Sequence, residues 1–104
     1  MAAVLPYVSW STATEAVVPI DEWDLLYASL QALKGHLHEY PGLQRFDVFV
    51  GPGADAVEVH CYTTWDTPEQ RDAFLERGYT FERLVADFGF DIQVERRLVM
   101  EKIF

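Results

Sequence analysis

Cysteine is nearly missing from this chain. Cys61 is the one thiol among 104 residues, so no internal disulfide can form and a reducing compartment is the natural setting. Basic residues are scarce as well: eight Lys and Arg stand against 17 Asp and Glu, a formal net charge of −9. That balance repels phosphate backbones and anionic lipid, which argues against nucleic acid and membranes as partners. No stretch approaches the roughly 18 consecutive apolar residues of a membrane span, and no basic segment followed by an apolar one opens the chain, so a soluble cytoplasmic protein is expected. Histidine is limited to His36, His38 and His60. No two of them stand at i, i+4 on a helix and none forms a ligand set with Cys61, so no metal site is expected. Cys61, on an apolar strand face, reads as a small buried hydrophobe. Internal repeats and low-complexity linkers are lacking too.

What is present is apolar material. At 50% hydrophobic residues, the chain reads as a single domain over residues 1–104 with a modest core. Its most informative stretch is residues 57–78. Val57, Val59, Cys61 and Thr63 alternate with Glu58, His60, Tyr62 and Thr64, which predicts a strand with one apolar and one polar face. Trp65 closes that strand, and Thr67-Pro68-Glu69-Gln70 follows. The Thr hydroxyl suits an N-cap, Pro suits the first helical position and Gln70 the reciprocal place of a capping box, so a helix is expected over residues 68–77 with Gly78 just past its end. Trp65 thus stands where strand hands over to helix, a place that suits a pocket rim or plain core packing.

The other elements follow from periodicity. A first strand is centred on residues 7–12 with Pro6 as its entry or a bulge, and residues 15–19 read as a loop. Asp21 is placed as the N-cap of a long helix whose stripe, Trp23, Leu26, Leu30, Leu33, Leu37 and Tyr40, runs for roughly five turns to Pro41-Gly42. Gly35 lies within it, marking either a close approach or a tolerated surface glycine. Residues 43–50 alternate again, with Phe46, Val48 and Val50 opposed to Arg45, Asp47 and Phe49, and the Gly-Pro-Gly turn after them predicts an antiparallel hairpin. That turn lacks the Lys and Ser/Thr of a phosphate loop and leads into a strand. Phe81, Leu84, Val85 and Phe88 mark a second short helix. A last strand places Ile92, Val94, Leu98 and Met100 on one face and Gln93, Glu95, Arg97 and Glu101 on the other.

This order predicts an α+β fold, the ferredoxin-like βαββαβ arrangement, with a four-stranded antiparallel sheet and both helical regions on one face. The opposite face, carrying Glu58, His60, Tyr62, Glu95, Arg97 and Glu101, has no cover from this chain. A mixed aromatic and charged face of that kind suits a partner, so a homodimer with two sheets packed face to face is expected, a dimeric α/β barrel.

The residues Tyr40-Pro41-Gly42-Leu43, Phe46-Asp47-Val48-Phe49, and Val59-His60-Cys61-Tyr62-Thr63-Thr64-Trp65 running into the Thr67-capped helix with Phe74 resemble the antibiotic biosynthesis monooxygenase (ABM) family of dimeric α/β-barrel proteins. Together with the element order the resemblance covers most of the chain. It implies a pocket between helices and sheet. Some members of that family oxidise quinol-type polycyclic substrates with O2 and no metal or flavin, some degrade haem, and others isomerise or only bind small molecules. Trp65 matches the tryptophan that haem-degrading members place over their ligand. Those members also use an asparagine in the first strand and a histidine in the second helical region; this chain has no asparagine and no histidine after His60, which argues against that chemistry.

Oxygenation without a cofactor needs a substrate that itself supplies an electron, a group that helps form its anion, and a dry pocket. Trp65 and His36 are the candidate catalytic residues, with His36 at the edge of the first helix's stripe one turn before Tyr40. Trp10, Tyr40, Phe74 and Phe81 are the candidate substrate-binding residues. His36 also reads as a solvated boundary histidine, and His60, beside Glu58 and Tyr62, as part of a polar interface network or of a site inside the barrel. Three functions stay open: a cofactor-independent monooxygenase, a non-catalytic ligand-binding or stress-response barrel, and a purely structural dimer.

Overall fold

A computed structural model describes residues 7–78 and 80–104. The sheet is built from β1 (Ser9–Pro19), β2 (Leu43–Pro52), β3 (Ala56–Trp65) and β4 (Val94–Lys102), all pairs antiparallel, in the order β2-β3-β1-β4. The helical layer consists of α1 (Trp23–Lys34), α2 (Pro68–Glu76) and α3 (Phe81–Ala86). This is the expected ferredoxin-like α+β fold. Its sheet is open, with β2 and β4 as its edges.

The central strands explain themselves. In β3 the residues Val57, Val59, Cys61, Thr63 and Trp65 are buried, while Glu58 and Tyr62 are exposed. The register sets Val57, Val59, Cys61 and Thr63 beside Val18, Ala16, Thr14 and Thr12 of β1 on the same face. Leu26 and Leu33 from α1, Phe74 from α2, and Phe81, Leu84 and Val85 from α3 close over that face to make the core. Ser29 of α1 donates to the Phe88 carbonyl at 3.0 Å, tying α1 to the turn after α3.

Several expectations need correction. Residues 15–19 are strand and not loop: β1 continues to Pro19 because Ala16 and Val18 are apolar on the core side and pair with Val59 and Val57. The long helix is shorter than its stripe. A 3-10 turn (Ile20–Glu22) precedes α1, no side chain caps either start, α1 stops at Lys34, and Leu37–Glu39 forms a second 3-10 turn. Gly35 ends α1 with ordinary φ, and a Cβ placed on it would meet only the Ala32 carbonyl at 3.7 Å, so no close approach occurs there. Tyr40, preceding Pro41, is pushed to extended backbone at φ −101 and ψ 106, which turns the chain toward β2.

The last correction concerns faces. Glu15 pairs with Arg96 but Ala16 with Val94, so Glu95 is the extra residue of a β-bulge. Beyond it the alternation is inverted. Arg97 and Glu101, expected on the open face, turn to the helices, where Arg97 meets Glu82 of α3 and Glu101 meets Arg71 of α2. Leu98 and Met100 take the other side, opposite Ala13 and Ser11. Pro6, expected as the strand's entry or a bulge, lies outside the described residues.

Candidate functional site

Of the clefts among the described residues, two bear on the predicted site residues. One lies between α1 and β2, has a volume of about 410 Å³ and is walled by Trp23, Tyr27, Leu30, Lys34, Phe46 and Val48 among others. The second, of about 420 Å³, lies at the junction of β3 and α2. Glu39, Tyr40, Pro41, Trp65, Gln70, Ala73, Phe74 and Arg77 line it.

The sequence builds the second cleft in three steps. Trp65 ends β3 and is almost fully buried, with 1% of its surface exposed. Its indole N–H donates to the Thr63 hydroxyl at 2.9 Å, and Thr63 bonds Thr12 across the strands. Those two hydroxyls fix the indole from below, satisfying a polar group that would otherwise be costly to bury. Next, α2 starts as its motif requires: the Thr67 hydroxyl accepts from the Gln70 amide at 3.1 Å and Pro68 opens the helix. From that start Gln70, Ala73, Phe74 and Arg77 fall at i, i+3, i+4 and i+7, one continuous stripe. Phe74 meets Trp65 with centroids 4.8 Å apart, and Tyr40 edge-on at 5.7 Å. Gly78 then closes the helix at φ +73, a conformation that favours glycine.

The third step is a tight junction. Gly42 has φ +80, its carbonyl accepts from the Asp66 amide at 2.9 Å, and the Gln70 side chain lies where a Cβ would stand, 1.9 Å from its ideal position. Gln70 thereby packs on backbone and does not complete a capping box: its Oε1 is buried and accepts no hydrogen bond among the described residues.

The structure gathers some of the predicted site residues and separates others. Trp65, Tyr40 and Phe74 come together in the α2 cleft. Trp10 stands next to Trp65 across β1 and β3, yet lines neither cleft. Phe81 is buried behind Phe46, centroids 6.3 Å apart. His36 also lines neither cleft: with α1 ended at Lys34, its ring packs on Phe88 at 5.2 Å and its Nδ1 lies 3.3 Å from Glu39 Oε2. Glu39 in turn lines the α2 cleft, so His36 reaches that site only through a carboxylate.

Several members of the site were not singled out from the sequence. Glu39, Pro41, Gln70, Ala73 and Arg77 belong to the α2 cleft, and the 70-73-74-77 spacing was the available signal for the helical ones. Arg71 is the other. Its side chain is 7% exposed, and it donates to the Met100 carbonyl at 3.0 Å and to Glu101 at 3.1 Å. Arg97 pairs with Glu82 in the same way. Burial pushes the Glu82 carboxyl up, but the Arg97 bond, its own backbone N–H and the Thr80 hydroxyl outweigh burial and hold it below the ordinary value. Burial, reinforced by the negative fields of Asp47 and Glu82, pushes the Cys61 thiol far up, which makes it inert as a nucleophile.

On the open side of the sheet, His60 lies 3.8 Å from Glu15 and 4.0 Å from Glu58. Phe49 and Tyr62 meet edge-on at 5.8 Å, both exposed. No group of three or more His, Cys, Asp or Glu side chains is arranged to hold a metal ion among the described residues. No helix among them is long and apolar enough to cross a membrane.

No family model matches the chain, and no curated protein does. Solved structures do. The "Putative antibiotic biosynthesis monooxygenase from Nitrosomonas europaea" superposes with a TM-score of 0.66 at 18% identity, over 98% of this chain and 95% of that one. The fold is ABM-like. A protein of the same description from Chloroflexus aurantiacus J-10-fl gives 0.59 at 18% identity, covering 92% of this chain and 94% of its own. One from Bacillus cereus gives 0.59 at 15% identity, with 92% and 93% covered. At these identities the likeness to the ABM-like structures is one of fold.

Proposed function

We propose that the α2 cleft binds a small aromatic or polycyclic substrate and that the protein acts on it as a cofactor-independent monooxygenase. The observation that carries the reading is the wall itself: Phe74 and Tyr40 are set around an indole whose N–H is held by the Thr63 hydroxyl, so the apolar lining of the cleft is aromatic. Its volume of about 420 Å³ falls in the range of small-molecule sites, roughly 300–1,000 Å³. A bound quinol-type substrate would lose a proton, and the resulting anion would pass an electron to O2. Glu39 is the carboxylate within the wall that can accept the proton, with His36 behind it as the group that orients it. Trp65 positions the ring. Trp10 supports that wall from β1, and Phe81 of α3 packs behind Phe46 in the wall of the neighbouring cleft.

The alternative reading, a non-catalytic small-molecule-binding barrel, is favoured by one feature: His36 and Glu39 have side chains 49% and 56% exposed, whereas this kind of oxygenation profits from a dry site. O2 uptake with a panel of reduced quinols and anthrones separates the two. Turnover by wild type that drops at least about ten-fold in His36→Ala and in Trp65→Phe is the expected result. Binding with no O2 uptake on any substrate would leave the alternative standing.

The open sheet face bearing Glu58, His60 and Tyr62 is proposed as a homodimer interface, without Arg97, which faces the helices. Exposed Phe49 and Tyr62 give it an apolar centre. Sedimentation at micromolar concentration should report twice the 12.0 kDa of one chain. A single 12.0 kDa species would remove this interface.

A further inference from the structure

The α2 cleft is aromatic at its base and charged at its rim. Its charged members are Glu39 and Arg77, and they differ in one respect. Glu39 already has a partner in His36, at 3.3 Å. Arg45, Arg71, Arg83 and Arg97 each meet a carboxylate within 4.0 Å, whereas Arg77 and Arg96 meet none among the described residues, and of those two Arg77 is the one that lines this cleft. In a chain of net charge −9, Arg77 thus puts an exposed guanidinium without a carboxylate partner on the wall of an aromatic cleft. Its planar fork suits two-point pairing with an anionic oxygen, and its flat face suits stacking on an arene.

We infer that the α2 cleft selects fused-ring arenes that carry an anionic oxygen, a carboxylate or an ionised hydroxyl, and that Arg77 is the specificity-determining residue. The inference rests on reading this cleft as the substrate site. The rings lie against Trp65, Phe74 and Tyr40, and the anionic edge points outward to Arg77, one helical turn beyond Phe74. A neutral arene of the same shape would keep the ring contacts and lose only the charge pairing. Arg77 itself is exposed, and its backbone N–H bonds the Ala73 and Leu75 carbonyls, so substituting its side chain leaves the end of α2 in place.

The test uses 2-naphthoate and its neutral analogue 2-naphthalenemethanol, titrated into the full chain while the indole N–H signals are followed by NMR. The Trp65 signal is assigned with Trp65→Phe, and Trp23 reports on the cleft between α1 and β2. Naphthoate should shift the Trp65 signal and bind roughly five-fold more tightly than the alcohol, as expected for a solvent-exposed ion pair, and about 0.3 M added salt should reduce that preference. Arg77→Gln should abolish the preference while changing alcohol binding by less than about two-fold, and Arg77→Lys should restore part of it. Equal affinity for both compounds in wild type, or a preference that survives Arg77→Gln, overturns the inference and leaves the substrate-site reading intact. If neither compound moves Trp65, the substrate-site reading falls as well. If naphthoate moves Trp23 instead and Lys34→Gln removes its binding, the anion belongs to the other cleft and the inference is likewise overturned.

Discussion

Helix α2 presents two unlike faces to the rest of the molecule. Toward β4 it sends Arg71, buried and bonded to a backbone carbonyl and to Glu101. Toward β3 and the Tyr40 turn it sends Gln70, Ala73, Phe74 and Arg77, and there a cleft remains. The contrast is one of bonding geometry. Directional bonds from a guanidinium fix the helix at one distance from the strand. Rings that meet tilted or edge-on, with centroids 4.8 and 5.7 Å apart, touch along edges and leave room between them. The clamped side holds the helix so that the aromatic side can stay open.

Removing either side tests that division. The largest effect is expected from Phe74→Ala, which takes a ring out of the core and should lower the free energy of unfolding by about 3–5 kcal/mol in denaturant titrations. Arene binding at Trp65 should be lost with it. Arg71→Ala comes next, at about 2–3 kcal/mol, less than for a fully buried pair because Glu101 keeps some access to water. Where the variant is folded it should leave the Trp65 indole environment nearly unchanged. If it instead abolished ligand binding, clamp and cleft would be one unit and the comparison would fail. Thr67→Ala should cost about 1 kcal/mol, measured the same way, by deleting the cap on which both faces of α2 depend.

The smallest effect is one of pH. Glu82 has its carboxyl held below the ordinary value near 4.5 when folded, so the folded state binds fewer protons than the unfolded one. Its contribution is fully present above about pH 4.5 and is lost as pH falls through the folded value. Unfolding of wild type and Glu82→Gln should therefore differ more at pH 6 than near pH 3, with wild type the more pH-sensitive. Parallel profiles would show that the Arg97 pair contributes nothing measurable.

What could be read from the sequence tracks how local each cause is. The strand ending in Trp65, the Thr67 cap and the hairpin into β3 follow from neighbours within a few residues, and all are found as expected. The faces of β4 could not be read correctly because a bulge at Glu95 answers to its pairing with β1. A trace of it was present: Arg96 falls in the apolar phase between Val94 and Leu98, which a regular strand would not place there. His36 was misjudged through α1. The stripe from Trp23 to Tyr40 keeps helical spacing across Gly35, but the backbone does not, and the missing turn rotates His36 out toward Phe88. Cleft residues on α2 were within reach of helical arithmetic; that Arg71, one position from Gln70, is buried against β4 depends on a strand 29 residues away.

Gly42 governs more than its own turn. Its missing side chain is the space that the Gln70 amide occupies, so the gap between the Tyr40 turn and α2 is gauged by a hydrogen atom. Any side chain there would displace the Gln70 amide, the movable end of a flexible side chain, and the left-handed backbone at φ +80 would resist the change. One polar wall of the cleft, Gln70, is therefore placed by a glycine outside it, and a Gly42→Ala exchange paired with a shortened residue at position 70 offers a way to re-size the opening without touching one of its aromatic rings.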